Sequence, residues 1–181
     1  MQVDVMTAVP AARLDELWDL YHETFAPLAV LAVQRHLMHR AEFDDLMADE
    51  RVTKYVAAEG DTVVGLATMT PHLDAVPLIS PQYFAHHFPA EYERGQIFYC
   101  VFIGVRGGGA GQGVFVALQE RMYDDVRPAG GRVVLDISTF NETERKLPWV
   151  VENILGGIAG TCVATRLDSQ SFWMYEFPAA S

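Results

Sequence analysis

The sequence is poor in cysteine, which argues against a disulfide-stabilised secreted protein. Only Cys100 and Cys162 occur among the 181 residues, and each lies in an apolar run. Small secreted domains that depend on disulfides carry many more cysteines, whereas apolar surroundings are typical of reduced, buried thiols. The sequence therefore predicts a protein of a reducing compartment, with the cytoplasm as the expected location.

Basic residues are also scarce. The chain has 13 Lys and Arg against 24 Asp and Glu, which gives a formal net charge of −11. Binding to nucleic acid or to an anionic membrane surface needs clustered positive charge, so neither is an expected partner. The acidic excess would attract a cationic substrate, although solubility alone explains it equally well.

Long hydrophobic runs are missing as well. The longest apolar stretch, residues 97–105, is far below the roughly 20 residues that span a bilayer. The first ten residues, MQVDVMTAVP, lack the basic and apolar regions of a secretory signal. Because a domain typically has about 100–200 residues, we expect one soluble domain over residues 1–181.

Several well-known catalytic motifs are absent. The sequence has no G-x-x-x-x-G-K-[ST], no G-x-G-x-x-G spacing and no G-x-S-x-G, so a P-loop, a Rossmann dinucleotide site and a serine hydrolase are unsupported. His36 and His39 are three residues apart, but no carboxylate or thiolate completes a set of metal ligands. No metal site is predicted.

Hydrophobic periodicity predicts alternating strands and helices. Helical spacing is found in three long and two short stretches, which are residues 11–25, 28–40, 42–47, 112–125 and a helix from about 141. Runs rich in β-forming residues indicate seven strands, at residues 2–6, 53–59, 62–70, 96–105, 132–138, 161–166 and 171–177. This order predicts an α+β fold with a mixed sheet.

A long segment without a clear period, residues 71–95, separates two of these strands. It contains four prolines, three histidines and several aromatic residues. Segments of this length inside a compact domain are usually functional or disordered, and the aromatic content argues against disorder.

The densest chemical signal is a glycine-rich turn between the strand at 96–105 and the helix at 112–125. Glycines let backbone amides approach an anion closely, and the start of the helix adds free N–H groups and a positive dipole. This geometry suits a pyrophosphate. The turn consists of Arg106, Gly107, Gly108, Gly109, Ala110, Gly111, Gln112 and Gly113.

Arg106, Gly109 and Gly111 resemble the [Gln/Arg]-x-x-Gly-x-[Gly/Ala] loop of the GNAT superfamily, the acyl-CoA-dependent N-acyltransferases. In that family the loop joins the fourth strand to the third helix, and a hairpin like residues 54–70 precedes it. The family often has an asparagine after the fifth strand that contacts the CoA arm, and Asn141 matches it. The resemblance implies a mixed, mostly antiparallel sheet of about seven strands, flanked by helices.

The resemblance also implies the reaction, in which an amine directly attacks the thioester of acetyl-CoA, the co-substrate, in a ternary complex. A backbone amide of the fourth strand, around Val101 to Ile103, would hold the oxyanion. The acceptor would be a small molecule or a peptide; its identity and the acyl length stay open, and a homodimer is one option for the oligomeric state. A non-catalytic module that binds or senses acyl-CoA is the alternative.

The catalytic groups are less clear from the sequence. An alkyl ammonium with a pKa near about 10.4 must lose a proton before it attacks, so a base or a water relay is needed. Glu93 and Tyr99 are the predicted catalytic residues. Many family members place a tyrosine about seven residues after the asparagine to protonate the thiolate, but here Pro148 and Trp149 occupy that region. Other candidates for the base are Glu91 and, more remotely, His72, Asp74, His86 and His87.

Overall fold

Five strands form one mixed sheet in the computed structural model, which describes residues 1–34, 37–77, 79–107 and 111–177. Neighbouring strands are antiparallel except the last pair, which is parallel. The predicted mixed and mostly antiparallel sheet is confirmed, although the described part of the chain has five strands rather than seven. In spatial order the strands are β1 (Gln2–Met6), β2 (Thr53–Glu59), β3 (Thr62–Thr70), β4 (Ile97–Val105) and β5 (Arg132–Val134).

Seven α-helices connect and cover these strands in the described residues. Three of them are shorter than eight residues and belong to the connections on either side of β4 and β5. The helices are α1 (Leu14–Phe25), α2 (Arg40–Ala48), α3 (Pro81–His87), α4 (Pro89–Glu93), α5 (Gln112–Val126), α6 (Thr139–Thr143) and α7 (Leu147–Ala159).

Alternation along the strands supplies a core on both faces of the sheet. On β2, Val56 packs in a cluster with Tyr21 of α1 and Phe43 of α2. The adjacent Tyr55 packs in a second cluster, with Leu118 of α5. Helices therefore cover both faces, and the sheet between them is fixed.

A glycine allows α5 to pack closely on the sheet. A Cβ atom at Gly65 of β3 would lie 2.7 Å from Cγ1 of Val114 and 3.0 Å from Cδ1 of Leu118. A larger residue at this position would push the helix outward. This close approach holds the first turns of α5 beside the end of β4.

The segment between β3 and β4 has more structure than its sequence predicts. It contains a 3-10 turn at Leu73–Ala75 and the helices α3 and α4, each of which has a proline as its first residue. Proline is favoured at that position because its missing N–H is not needed there. Phe84 of α3 packs in a cluster with Ile97 and Tyr99 of β4, so the segment is anchored to the sheet.

Two predicted elements are shorter in the structure. Of residues 28–40, only the 3-10 turn Ala26–Val30 and the first residue of α2 are helical in the described part. This turn buries Leu28 alone, and Val30 and Val33 are largely exposed. Leu37 and Met38 pack against the core without being helical, so the apolar residues do not form one buried helical face. The strand predicted at 132–138 ends at Val134.

The predicted terminal hairpin, at 161–166 and 171–177, is wrong. Residues 160–177 contain no strand, and Trp173 and Tyr175 are 78% and 76% exposed. A strand needs a hydrogen-bonded neighbour as well as a suitable pattern, and these residues have no strand partner in the described part of the chain. None of the described helices is long and apolar enough to cross a membrane.

Candidate active site

The candidate site begins where β4 and β5 separate. Their parallel pairing runs from Ile97–Arg132 to Tyr99–Val134 and then stops, while β4 continues beside β3 to Val105. In β4 the register with β3 also shifts, so that Val101 is an extra residue between two paired neighbours. Such bulges redirect a strand locally. The predicted oxyanion positions, Val101 and Ile103, both lie on the stretch of β4 beyond the pairing with β5.

The glycine-rich turn lies at the end of the same strand. Gly107 has a φ of +86°, a conformation that side chains other than glycine rarely adopt. A Cβ atom at Gly111 would lie 2.3 Å from Cγ1 of Val105 and 2.8 Å from the carbonyl oxygen of Arg106. Gly111 caps α5, so the turn places the amides of the first helical turn beside the end of β4. Gly108, Gly109 and Ala110 lie outside the described residues.

Arg106 is held by β3 and α1. Its backbone N–H donates to the carbonyl oxygen of Val64 at 2.9 Å. The guanidinium donates from Nη1 to the carbonyl oxygen of Val63 and from Nε to Oε2 of Glu23, each at 3.2 Å. An anion at the turn would therefore compete with Glu23 for this cation.

A cavity of about 1750 Å³ extends from β4 and β5 towards α6, α7 and the end of the chain. Tyr99 and Asp136 form a polar contact in its wall. The Tyr99 hydroxyl donates to Oδ1 of Asp136 at 2.6 Å. Burial and the negative charge of Asp136 raise the pKa of Tyr99 far above its usual value. The phenol therefore keeps its proton near neutral pH and donates a hydrogen bond to Asp136. It cannot act as a base towards an amine.

Asn141 lies in α6, seven residues after the end of β5. Its backbone N–H donates to Oγ of Ser138 at 3.3 Å, so Ser138 caps the helix. The side-chain Oδ1 of Asn141 is buried without a hydrogen-bond partner among the described residues. A buried unpaired acceptor costs about 1–3 kcal/mol, so a ligand N–H at this point would be stabilising.

Comparisons with known proteins identify the fold. No protein-family model and no curated protein matches the sequence, but solved structures match it over most of its length. Ribosomal-protein-alanine N-acetyltransferase from Brucella melitensis superposes with a TM-score of 0.56 at 16% identity, over 96% of this chain and 100% of that one. The chain has the GNAT acetyltransferase fold.

Two further GNAT structures support this result. An aminoglycoside acetyltransferase from an uncultured soil metagenomic sample, solved in complex with sisomicin, gives a TM-score of 0.55 at 11% identity over 97% of this chain and 96% of its own. GCN5 from Tetrahymena gives 0.53 at 12% identity over 81% and 77%. The resemblance of the sequence to GNAT proteins is thus matched by its structure.

Within the GNAT fold, the predicted catalytic residues have different surroundings. Tyr99 lines the cavity, whereas Glu93 is exposed at the end of α4 and is not part of the cavity wall. Glu91 accepts a hydrogen bond from Nη2 of Arg132 at 2.6 Å. His72 and Asp74 line a separate pocket of about 250 Å³.

Asp136 is not among the residues that the sequence singles out. It follows β5 and is accessible to solvent within the cavity wall. The available signal was an acidic residue inside the apolar run RVVLDIS. Such a residue in a strand is ordinarily just a solvated position, and its contact with Tyr99 in the cavity wall becomes visible only in the structure, where β5 ends at Val134. The described residues contain no group of three side chains suited to a metal ion, and His36 lies outside them.

Proposed function

We propose that the protein is an acyl-CoA-dependent N-acetyltransferase that transfers an acetyl group from acetyl-CoA to a primary amine. The observation that carries the proposal is the separation of β4 from β5 after Tyr99, on the strand that leads to the glycine-capped start of α5. The acetyltransferases that share the fold support it. A cytoplasmic location and a homodimer stay predictions.

Three parts of acetyl-CoA would each meet suitable hydrogen-bonding groups of the protein: the pyrophosphate, the amide-containing arm and the thioester. The pyrophosphate would accept hydrogen bonds from the amides of the turn, in the positive field of α5 and near Arg106. The amide-containing arm would run between the separating strands, and an N–H of that arm would be a partner for Oδ1 of Asn141 in α6, which is buried without one among the described residues. The thioester carbonyl would then meet the backbone of β4 between Val101 and Ile103.

The proposed reaction forms a C–N bond between the amine and the acetyl carbon and breaks the C–S bond of the thioester, so that CoA leaves as its thiolate. The amine must first lose a proton, and Asp136 is the acceptor that the geometry favours, because it is accessible in the cavity and is oriented by the Tyr99 hydroxyl. Backbone N–H groups of β4 would stabilise the oxyanion. Glu93, the base predicted from the sequence, would have to act from outside the cavity wall.

Matched amide variants separate these two candidates for the base. We expect Asp136→Asn to lower kcat by about 100-fold or more, the usual contribution of a general base. Glu93→Gln is the same chemical change at the other candidate. Thiol release from acetyl-CoA in the presence of a panel of amines measures both variants. A large loss in Glu93→Gln with full activity in Asp136→Asn would assign the base to Glu93 instead.

One observation favours a second candidate, a GNAT-fold module that binds acyl-CoA without turnover. The position where many family members carry the thiolate-protonating tyrosine falls at the start of α7, at Pro148, and the adjacent Trp149 is 65% exposed. Thermal stabilisation by acetyl-CoA, about 2.7 kcal/mol at 100 times Kd, is expected for both candidates. Thiol release with any amine identifies the enzyme, and silence across a broad panel identifies the sensor.

A further inference from the structure

One wall of the cavity is a single stretch of irregular chain. All twelve residues from 161 to 172 line the cavity, and none of them belongs to a helix or a strand. Only Cys162 is half-buried, and the remaining residues of the stretch are exposed. We call residues 161–172 the strap. It covers the cavity without contributing a residue to the buried core.

Three polar contacts tie the strap to three different helices in the described part of the chain. The N–H of Ala164 donates to Oε1 of Glu152 in α7 at 2.9 Å. The guanidinium of Arg166 forms an ion pair with Glu142 in α6. The Tyr83 hydroxyl of α3 donates to the carbonyl oxygen of Leu167 at 3.4 Å.

These attachments are weak compared with those of the sheet. Exposed ion pairs and hydrogen bonds contribute little each, because water replaces them readily. A segment with few buried apolar contacts and exposed hydrogen bonds opens locally at a lower free energy than the core around it. The strap can therefore detach while the five strands and α5 remain folded.

We propose that the strap is a gate on the acceptor cavity, which opens by breaking these contacts and closes again over a bound acceptor. The assignment of the cavity to the acceptor rests on the proposed acetyltransferase function. Closure of this kind excludes water from a reaction that must transfer acetyl to an amine rather than to water. The residues that hold the gate closed are Tyr83, Glu142 and Glu152.

The two cysteines provide a direct test, because one lies in the strap and the other in the core. Cys162 reports opening of the strap, whereas the buried Cys100 reports opening of the sheet. The folded protein is treated with a thiol reagent, and mass spectrometry gives the labelling rate of each cysteine. Glu142→Gln should accelerate labelling of Cys162 about two- to fivefold, as expected for loss of one exposed ion pair, and leave Cys100 unchanged.

Two further variants complete the experiment. Glu144→Gln removes the same charge from an exposed residue near Glu142 that makes no hydrogen bond or ion pair with the strap among the described residues, and it should change neither rate. Tyr83→Phe removes a different attachment and should again accelerate Cys162 alone. Unchanged labelling of Cys162 in both Glu142→Gln and Tyr83→Phe would overturn the proposal, as would parallel acceleration of both cysteines. Acetyl-CoA binding is measured separately, so a failure of the proposed function would not be mistaken for a failure of the gate.

Discussion

At the scale of single residues, two glycines of the same turn have opposite surroundings. A Cβ atom at Gly111 would overlap Val105 and approach the Arg106 carbonyl. A Cβ atom at Gly113 would have no neighbouring atom within 4 Å. Gly111→Ala should therefore lower the free energy of unfolding by about 1–3 kcal/mol through overpacking. Gly113→Ala, at the start of α5, should be neutral or stabilise by up to about 1 kcal/mol. Urea unfolding of both variants measures the contrast, and equal effects would contradict the geometry of the turn.

Lys54 gives a prediction about pH. It is fully buried on β2, and its Nζ donates to the carbonyl oxygens of Thr7 and Asp49 at 2.7 and 2.6 Å. Burial lowers the pKa of Lys54 from 10.5 to about 8. The unfolded chain therefore binds this proton more tightly, and the stability that Lys54 contributes increases as the pH rises from 8 to 10.5.

Lys54→Met is the corresponding variant. It should cost about 2 kcal/mol at pH 7, because two partly buried carbonyl groups lose their charged donor. Urea unfolding of the wild type and the variant at pH 7 and pH 9.5 isolates the contribution of Lys54, since effects of other groups cancel in the difference. That difference should be larger at pH 9.5, and a smaller one would show that the pKa of Lys54 is not lowered.

At the scale of elements, the packing of α5 on β3 determines where the glycine-rich turn lies. Gly65→Ala should destabilise the fold by about 1–3 kcal/mol, because its Cβ would meet Val114 at 2.7 Å. Val114→Ala leaves a small cavity of its own, but it also removes the atom that the new Cβ would strike. The double variant should therefore be destabilised by less than the sum of the two single variants. Additive costs, measured by urea unfolding, would mean that these residues are not in contact.

Elements with complete local signals could be predicted from the sequence. The hairpin of β2 and β3 around Gly60, the strand β4 and the helix α5 combine a clear period with turn or cap residues, and the structure confirms them. The terminal hairpin shows the limit, since its β pattern does not supply a neighbouring strand. Similarly, the role assigned to Asp136 depends on where β5 ends, which is a property of strand pairing and not of the local sequence.

At the scale of the whole molecule, the net charge of −11 opposes the binding of an anion such as acetyl-CoA. The glycine-rich turn has to provide a local positive field against this background. In the proposed function this field would come from the start of α5 and from Arg106, whose guanidinium is paired with Glu23 in the structure. The charge balance of the whole chain could be predicted from the sequence, but the pairing of Arg106 with Glu23 joins residues 83 positions apart and could not.

The central claim is that this turn binds acyl-CoA, and isothermal titration calorimetry with acetyl-CoA tests it most directly. We predict saturable binding with one site per chain, weakened about tenfold or more in Arg106→Ala, as expected when a charge-assisted contact worth about 1.5–3 kcal/mol is lost. The absence of saturable binding to the wild-type protein, or equal affinity in Arg106→Ala, would contradict the account.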